Sequence, residues 1–547
     1  MGAKDVKVLK EGNRYVAEFD FDYHIKNTVK AMGFRFDWDT KRWWTYKADL
    51  ARDLASWAED HEALNALNNE RILSSIEQLE THKKSSSITT SKDFPVPDGL
   101  KYLPYQRAGI EFASSKTDCL LADEMGLGKT VQAIGTVNNI ADAKNILIIC
   151  PKSVKHNWFR EWTKWDVKKL SASFNRKSFP DTDVAIINYD VVKKYRTAID
   201  ARDWDVLICD ESHYMKGPKS SRTRHVLGHG KKIPPIQAKK RLLLSGTPVI
   251  NRPIDLWTTI NAFDPTHVNF GSWYDFIHKF CDAYQDQFGY RYNGASNLGE
   301  LQSKLRSTFM IRRLKSEVLT ELPDKRRQVV VLPLNGEGEL VRHENKLQED
   351  KKRIASELET ALMAGDTAKV RSLREVQGLL IQEIAKARVL IGKAKVPYVI
   401  EHLRNALEEG QVVLFAHHHE VFDLIEEGLK DKRNPKNDIK FVKVVGSVSQ
   451  PARIKAIDDF QNGKAQLFLG GLRAASEGIN LTKSNHVIFA EQDWTDAIMR
   501  QAEDRCHRYG QEKNVLVQQL VMDESYDANM ALKIDEKGFI MDETLNL

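Results

Sequence analysis

The sequence predicts an α/β fold with two parallel-sheet lobes, a helical insert between them and a small α+β domain at the N-terminus. Three observations predict it. Short, fully apolar runs alternate with helical stretches in two separate regions. A charged, helix-forming stretch lies between those regions, and the start of the chain is rich in tryptophan. Apolar strands that alternate with helices are typical of a parallel sheet covered on both faces.

Residues 1–60 form the predicted small domain. Residues 15–21 alternate in strand fashion, and a helix is expected at about 25–32. The aromatic stretch that follows Gly33 predicts a β-hairpin. Residues 61–98 are predicted to be a charged helical segment followed by a linker, because the Phe94-Pro-Val-Pro segment cannot be regular structure.

The first lobe is expected at 99–325, the helical insert at 326–400 and the second lobe at 401–547. The predicted strands of the first lobe are 119–122, 146–150, 184–187, 206–209 and 242–245. Those of the second are 412–416, 442–445, 467–469 and 487–490. The insert is highly charged and is broken near Gly365.

Composition narrows the function classes only loosely. The chain has 547 residues with 82 basic and 76 acidic side chains, and a net charge of +6 does not by itself diagnose nucleic-acid binding. Five scattered cysteines have neither metal-ligand nor disulfide spacing, which favours a reducing compartment. We expect neither a signal segment nor a membrane span.

The segment from Asp123 to Thr130 has the order strand, glycine-rich turn, helix start that holds nucleotide phosphates. Gly126 and Gly128 let backbone N–H groups surround phosphate oxygens at a helix N-terminus. Lys129 is expected to reach the outer phosphates and Thr130 to bind Mg²⁺. The pattern is incomplete, because Asp123 stands where the first glycine is usual. The alternative is a chance glycine-rich turn.

A second motif supports the first. Asp210-Glu-Ser-His follows an apolar strand directly, at the sheet edge where open α/β folds bind ligands. Asp210 suits Mg²⁺, and Glu211 suits positioning of the attacking water. The alternative is a turn with solvated charges, which the presence of both motifs disfavours.

These motifs, together with Leu244-Ser-Gly-Thr-Pro and Gln501-Ala-Glu-Asp-Arg-Cys-His-Arg-Tyr-Gly-Gln, resemble superfamily 2 helicase-like ATPases of the Swi/Snf branch. The wording is most similar to the annealing-helicase type, also called HepA-related protein, and the tryptophan-rich start resembles its small HARP domain. The resemblance implies two RecA-like lobes. It also implies that Gln106 reads adenine, so that ATP is the nucleotide.

The resemblance assigns further roles. Gly478 belongs to a segment that resembles the coupling motif of the second lobe, and Arg505 and Arg508 match paired arginines that contact the γ-phosphate across the cleft. The alternative for both arginines is a salt-bridged helix face with Glu503 and Asp504. The expected catalytic residues are Lys129, Glu211, Arg505 and Arg508. The expected nucleotide-binding residues are Gln106, Gly126, Gly128, Lys129, Thr130, Asp210 and Gly478, with Thr130 and Asp210 as the Mg²⁺ ligands.

Contacts to DNA are expected in two places. The stretch 216–241 has nine Lys or Arg and no acid, so Lys216, Arg222 and Arg224 are candidates for backbone contacts. A flexible solvated loop is the alternative. In the N-terminal hairpin, Arg35 and Arg42 are the better candidates for phosphate contacts and Trp43 is a candidate to stack on bases. The alternative, which is favoured for any single tryptophan, is that the aromatic rings form the core of a very small domain.

Three histidines at 417–419 could suggest a metal site. Neighbouring residues on a strand point to opposite faces, so the three rings cannot converge on one ion, and we expect no zinc.

The leading hypothesis is therefore a Mg²⁺- and ATP-dependent translocase on double-stranded or forked DNA, which remodels forks or reanneals strands in DNA repair. Single-stranded DNA at junctions is a further expected partner. The alternatives are a strand-separating helicase and a motor subunit that displaces proteins from DNA in a repair or defence complex. We expect a cytoplasmic or nucleoid setting with a bacterial or phage source, or a nuclear setting if the source is eukaryotic.

Overall fold

The computed structural model describes residues 6–11, 14–37, 40–45, 48–175, 177–230, 232–248, 252–286, 289–334, 336–430, 438–475, 479–493, 495–526 and 528. Its first unit is a small α+β domain, as the sequence predicts. The elements are β1 (Lys7–Glu11), β2 (Arg14–Glu18), α1 (Tyr23–Ala31), β3 (Arg35–Asp37), β4 (Arg42–Thr45) and α2 (Ala48–Trp57). The four strands pair antiparallel in the order β1-β2-β4-β3, and β3 and β4 form the predicted hairpin.

The 25-residue helix α3 (His61–Ser85) joins this domain to the first lobe. Near its start, Leu67 belongs to the core of the small domain. Near its end, Thr81 and Ser85 are buried, and the Lys116 ammonium donates to the Thr81 hydroxyl (3.0 Å). One continuous helix therefore contacts both units.

The first lobe is built around a seven-stranded, fully parallel sheet in the order β13-β5-β10-β9-β6-β8-β7. Its strands are β5 (Asp118–Leu121), β6 (Ile146–Cys150), β7 (Ala172–Phe174), β8 (Val184–Asn188), β9 (Trp204–Asp210), β10 (Ala238–Leu244) and β13 (Met310–Ile311). A two-stranded hairpin, β11 (Tyr284–Asp286) and β12 (Gly289–Arg291), precedes β13. The helices are α4 (Pro104–Ser115), α5 (Lys129–Asn138), α6 (Lys155–Trp165), α7 (Val192–Asp200), α8 (Ser221–Leu227), α9 (Trp257–Phe263), α10 (Trp273–Phe280), α11 (Leu298–Thr308) and α12 (Lys315–Val318).

Both faces of this sheet are covered. In β6, Leu147 and Ile149 belong to one hydrophobic core, whereas Ile146 and Ile148 belong to the core on the opposite face. Burial on both faces explains why these strands are apolar at every position.

The chain then enters the second lobe before it forms the insert. Strand β14 (Lys325–Leu332) pairs in parallel with β19 (Val515–Met522), at the edge of the second sheet. The two long helices of the insert follow, α13 (Gly338–Met363) and α14 (Thr367–Glu409), with the predicted break at Gly365 between them. The insert was expected from residue 326, but 325–332 is a strand, in which Arg326 and Gln328 are exposed while Lys325 and Arg327 pair with Glu503.

The second lobe has a six-stranded, fully parallel sheet in the order β14-β19-β18-β15-β17-β16. Its elements after the insert are β15 (Val412–Ala416), α15 (His419–Gly428), β16 (Phe441–Val444), α16 (Gln450–Gln461), β17 (Leu467–Gly471), α17 (Leu472–Ala475), β18 (His486–Phe489), α18 (Asp496–Glu503) and β19 (Val515–Met522). The C-terminal part of α14 covers one face, where Ile391 and Val399 pack against Leu414 of β15. The predicted fold class of two parallel-sheet lobes is confirmed.

None of the helices in the described part of the chain combines the length and the hydropathy that a bilayer crossing requires.

Candidate active site

The glycine-rich turn between β5 and α5 has the backbone that a phosphate loop needs. Gly126 and Gly128 have φ angles of 87° and 73°, in the left-handed region that favours glycine. A Cβ atom on Gly128 would lie 2.5 Å from Nε2 of Gln106, so a larger residue would not fit. Gln106 therefore packs directly against the loop, and the N-terminus of α5 opens at its end.

Asp123 occupies the position where a glycine is usual. Its contacts inside the first lobe support this loop. Its carboxylate is fully buried and accepts hydrogen bonds from the Arg313 backbone N–H (3.0 Å), from Arg313 Nε (2.9 Å) and from Gln132 Nε2 (2.9 Å). Arg313, which is also fully buried, makes a second close contact through Nη2. The aspartate that replaces the usual glycine is thus an ionised side chain that is paired with Arg313 and fully hydrogen-bonded.

Lys129 lies at the start of α5, and its ammonium donates to the backbone carbonyls of Asp123 (2.7 Å) and Glu124 (3.3 Å). Burial lowers the pKa of Lys129, although the nearby carboxylates of Glu211 and Asp123 oppose that shift. An outer phosphate would offer this ammonium stronger acceptors than the two carbonyls.

The two carboxylates at the end of β9 have different environments. Asp210 accepts hydrogen bonds from Trp158 Nε1 (2.7 Å) and from the Glu211 backbone N–H (2.9 Å). Burial and the neighbouring charge of Glu211 raise the pKa of Asp210 to about 7.

Glu211 has a left-handed backbone (φ 49°), and its Oε2 lies 3.2 Å from Nδ1 of His213. Burial alone would raise the pKa of Glu211, but His213, Lys129 and Arg505 together hold it below its ordinary value. Environments that push two carboxyl pKa values apart assign the groups different roles.

The residues fit a magnesium ion. The Thr130 side chain and the Asp210 carboxylate line the same cleft. A divalent cation there would favour the ionised form of Asp210, which burial disfavours. Hydroxyl and carboxylate oxygens are ligands that Mg²⁺ prefers.

His213 connects Glu211 to the next strand. Its Nδ1 lies 3.1 Å from Oγ of Ser245, which directly follows β10 and begins the Ser-Gly-Thr-Pro segment. The tautomer of His213 decides which of the two atoms donates. The Asp-Glu-Ser-His motif and the Ser-Gly-Thr-Pro segment are thus in direct contact.

Arg505 and Arg508 of the second lobe reach the same cleft from the opposite side. The cleft, of about 480 Å³, is lined by both arginines and by Lys129, Thr130 and Glu211. Burial and the like charge of Arg505 lower the pKa of Arg508 to about 10, which leaves this guanidinium ionised at neutral pH.

Glu503 and Asp504, the acids that were the alternative partners of these arginines, form ion pairs with other residues. Glu503 binds Arg327 (2.8 Å) and Lys325 (3.1 Å), and Asp504 binds Lys325 (3.0 Å) and Lys315 (2.8 Å). The acids before the arginines therefore form a separate charge cluster with Lys315, Lys325 and Arg327.

Sequence reasoning missed several lining residues, which come from helices between the motifs. They are Asn157, Arg160 and Glu161 of α6, and Asp458 and Gln461 of α16. Nothing in the local pattern marks these positions. Gly478, predicted to bind nucleotide, lies outside the described residues.

A second cleft between the two lobes has a volume of about 470 Å³ and a basic lining. The first lobe contributes Lys152 and Arg222, and the second contributes Arg453 and Arg473. The Gln450 side-chain amide donates to the Ser153 carbonyl across the gap (3.4 Å). Asp190 also lines this cleft and pairs with Arg222 (2.9 Å).

Contacts connect this basic cleft to the carboxylates of the first. The Arg222 guanidinium lies 5.3 Å from the centre of the Tyr214 ring, which stacks on Tyr189 at 5.8 Å. The Tyr189 hydroxyl donates to the backbone carbonyl of Asp210 (2.8 Å). Helix α16 also spans both clefts, with Arg453 in one and Asp458 in the other.

The three predicted DNA-contacting residues of 216–241 do not all lie in this basic cleft. Arg222 lies in the basic cleft, whereas Lys216 and Arg224 are not part of its lining. The Lys216 ammonium lies 3.6 Å from Asp255.

The N-terminal domain has an open groove of about 1510 Å³, lined by basic and aromatic side chains that include Arg35, Arg42 and Trp43. Arg35 is exposed, whereas the Arg42 guanidinium pairs with Glu11 (2.5 Å). Trp43 packs against the core of the domain and against Phe36 (5.3 Å) while it also lines the groove.

Two of the three histidines at 417–419 contact one carboxylate, that of Glu491. His418 Nδ1 lies 2.6 Å from Glu491 Oε1, and the backbone N–H groups of His417 and His418 donate to Glu491 Oε2. Within the described ranges, no group of three or more His, Cys, Asp or Glu side chains could hold a metal ion.

Comparison with known families decides what kind of protein has this pair of lobes. The model of the SNF2-related domain matches residues 105–378, and that of the helicase conserved C-terminal domain matches residues 394–510. The chain belongs to the SNF2-related family. Membership implies use of a nucleotide, and the resemblance stated from the motifs is confirmed.

Several similar curated proteins are from animals. A SWI/SNF-related matrix-associated actin-dependent regulator of chromatin subfamily A-like protein 1 of Xenopus tropicalis is 31% identical over 97% of this chain and 54% of its own length. A human DNA annealing helicase and endonuclease is 32% identical over 82% of this chain and 41% of its own length. The chain thus spans about half the length of the curated relatives it matches. These relatives give no support to the expected bacterial or phage source.

Among solved structures, a Sulfolobus solfataricus SWI2/SNF2 ATPase core in complex with dsDNA matches with 20% identity and a TM-score of 0.39. The match covers 84% of this chain and 99% of that chain.

Proposed function

We propose that this chain is a DNA-dependent ATPase that moves along double-stranded DNA and remodels forks or reanneals strands. One observation carries the proposal: the same two lobes enclose two clefts, and a path of contacts joins them. The first cleft has a phosphate loop, a carboxylate pair and two arginines. The second has four cationic side chains, which suit the DNA backbone.

In the first cleft, the loop glycines and Lys129 would hold the phosphates of ATP, and Gln106 would contact adenine. Thr130 and Asp210 would hold Mg²⁺, which neutralises charge on the phosphates. Glu211 is ionised, so it can accept a hydrogen bond from the attacking water and orient it.

Arg505 and Arg508 would act on the transferred phosphoryl group from the second lobe. A guanidinium stays ionised and presents a rigid set of donors to the charge that develops on the phosphoryl oxygens. Because the arginines and the phosphate loop belong to different lobes, hydrolysis would require the lobes to close and product release would let them open.

DNA in the basic cleft would contact both lobes through Lys152, Arg222, Arg453 and Arg473. These are contacts to phosphates, so they give affinity without sequence preference. Closure and opening around the bound backbone would move one lobe relative to the other along the strand. The groove of the N-terminal domain, with its exposed Arg35 and with Trp43, is the proposed site for single-stranded DNA at a junction.

The test is the rate of ATP hydrolysis with no nucleic acid, linear duplex, forked DNA, single-stranded DNA and RNA. We expect duplex or forked DNA to stimulate hydrolysis strongly, and Lys129→Ala to abolish the stimulated rate. Equal rates with and without DNA would overturn the proposal.

A strand-displacement assay then distinguishes the two motor activities. Displacement of a triplex-forming strand, or reannealing of complementary strands, supports translocation. Release of a strand from a forked duplex would instead identify a strand-separating helicase.

A further inference from the structure

Lys315 is a buried lysine that packs against the phosphate loop. It begins α12, two residues after Arg313, and its side chain is 4% exposed. Its backbone N–H donates to Oε2 of Glu124 (2.7 Å), and its ammonium lies 3.8 Å from Oε1 of the same carboxylate. A Cβ atom on Gly126 would lie 3.4 Å from the Lys315 Cε. Lys315 thus touches the loop that is proposed to hold the phosphates.

The same ammonium also binds the second lobe. It lies 2.8 Å from Oδ1 of Asp504 and donates to the backbone carbonyl of His507 (2.8 Å). These two residues directly precede Arg505 and Arg508 in the chain. One side chain therefore links the phosphate loop of the first lobe to the turn that bears both arginines.

A second lysine provides a natural comparison. Lys325 binds the same carboxylate oxygen of Asp504 (3.0 Å) and also Glu503 (3.1 Å). It is the first residue of β14, which belongs to the sheet of the second lobe. The contacts of Lys325 with these acids therefore lie within one lobe, whereas those of Lys315 cross between lobes.

Separation of the lobes would leave the Lys315 ammonium without two of its partners. A buried charge that loses its partner is strongly unfavourable until water reaches it, so the contact favours the closed arrangement. Lys315 is not among the described residues that line the nucleotide cleft, and its ammonium contacts Glu124, Asp504 and the His507 carbonyl instead.

We propose that Lys315 is a positioning residue for hydrolysis, which holds the turn of Arg505 and Arg508 against the phosphate loop when the lobes close. This inference rests on the proposed function, because it assumes that both arginines act on the bound nucleotide. Lys315 acts through the arginines and not on the substrate.

The test compares Lys315→Met with Lys325→Met as the matched control. Both substitutions remove one cation from Asp504, but only the first removes the link between lobes. For Lys315→Met we expect the DNA-stimulated kcat to fall about tenfold or more, with KM for ATP changed less than about threefold. For Lys325→Met we expect kcat to change less than about threefold.

A direct measurement of closure separates positioning from a merely structural role. All five cysteines are buried, so new cysteines at the exposed positions Asp142 and Lys483, one in each lobe, can carry a fluorescent donor and acceptor. With a non-hydrolysable ATP analogue, we expect Lys315→Met to lower the closed fraction and Lys325→Met to leave it unchanged. Equal effects of the two substitutions, or an unchanged closed fraction in both, would overturn the inference.

Glu124→Gln keeps Lys315 in place and removes the charge at the phosphate-loop end of the link. We expect it to lower kcat and the closed fraction in the same direction, and it takes over the test if Lys315→Met fails to fold. No effect of Glu124→Gln in that case would also overturn the inference. If DNA does not stimulate the unsubstituted protein, the proposed function fails, whereas the energy-transfer measurement still tests the role of Lys315.

Discussion

Replacement of Arg313 by methionine tests whether the unusual aspartate of the phosphate loop is part of its support. Arg313 and Asp123 are both fully buried, and the guanidinium supplies two of the hydrogen bonds that the carboxylate accepts. Methionine fills a similar volume but leaves a carboxylate in the core with only Gln132 Nε2 and one backbone N–H as donors. We expect a large loss of stability in the first lobe.

The size of the loss follows from the remaining contacts. Breaking a buried ion pair lowers the free energy of unfolding by about 3–5 kcal/mol. Because two donors to the carboxylate remain, we expect a loss of about 3 kcal/mol here. For a domain of roughly 200 residues, 1 kcal/mol lowers Tm by about 2–4 °C, so the expected decrease is about 6–12 °C. Asp123→Gly restores the usual glycine and removes the carboxylate that Arg313→Met leaves without its cation. The double variant should therefore be more stable than the sum of the two single effects predicts, by about 1 kcal/mol or more.

The assay is differential scanning calorimetry of the first unfolding transition. Lys279→Met is the control, because Lys279 makes an ion pair of 2.6 Å with Glu300 and the two side chains are 46% and 43% exposed. Exposed pairs contribute less than about 1 kcal/mol, so Tm should fall by no more than about 4 °C. The reasoning is refuted if Arg313→Met lowers Tm no more than this control does.

Four further predictions concern the two clefts. Because burial and Glu211 raise the pKa of Asp210 to about 7 and Mg²⁺ requires the ionised form, kcat/KM for ATP should fall about tenfold per pH unit below 7; a profile flat from pH 6 to 8 would contradict this. Arg508→Ala should reduce stimulated hydrolysis about a thousandfold with DNA affinity unchanged, and weaker DNA binding in a salt titration would argue against its role at the phosphate. Arg453→Ala should weaken duplex binding and reduce the slope of log affinity against log salt by about one, whereas an unchanged slope would remove it from the DNA contacts. Tyr189→Phe, which deletes one hydrogen bond of about 1 kcal/mol, should lower DNA stimulation about fivefold at unchanged DNA affinity; full stimulation would show that this hydroxyl does not couple the clefts.

The sequence predicted most of the strands that are buried on both faces, because such strands have few polar positions. Strand β19 is also buried but was missed, since Gln518 and Gln519 interrupt its apolar run. The runs 146–150 and 412–416 coincide with β6 and β15 at both ends. Strand β14 was missed because it begins Lys-Arg-Arg-Gln and lies at a sheet edge with most of its side chains exposed. Only its pairing with β19 makes it a strand, and no local pattern contains that partner.

The motifs predicted which residues would meet, and the lobes bring Lys129, Glu211 and Arg508 to one cleft. Their supporting residues were not predictable in the same way. Arg313 and Asp123 are 190 positions apart, and neither the charge nor the spacing of one identifies the other. Trp158 likewise reads as an ordinary aromatic of an amphipathic helix, although its indole fixes the position of Asp210. A motif specifies the group that does chemistry, whereas its orientation depends on contacts made after folding.

The pairing of β14 with β19 also determines when the second sheet can be completed during synthesis. Lys325 is opposite Val515, so the ribosome must add 190 residues before β14 meets its only neighbour among the described strands. At about 5–20 residues per second, that interval is roughly 10–40 s. Val329 and Val331 are 50% and 57% exposed even in the complete fold. Until β19 is synthesised, β14 therefore has an unpaired edge and exposed apolar side chains. The nascent chain is therefore most prone to aggregation after the first lobe has folded and before residue 522 emerges, which is when a chaperone would have most effect on its yield.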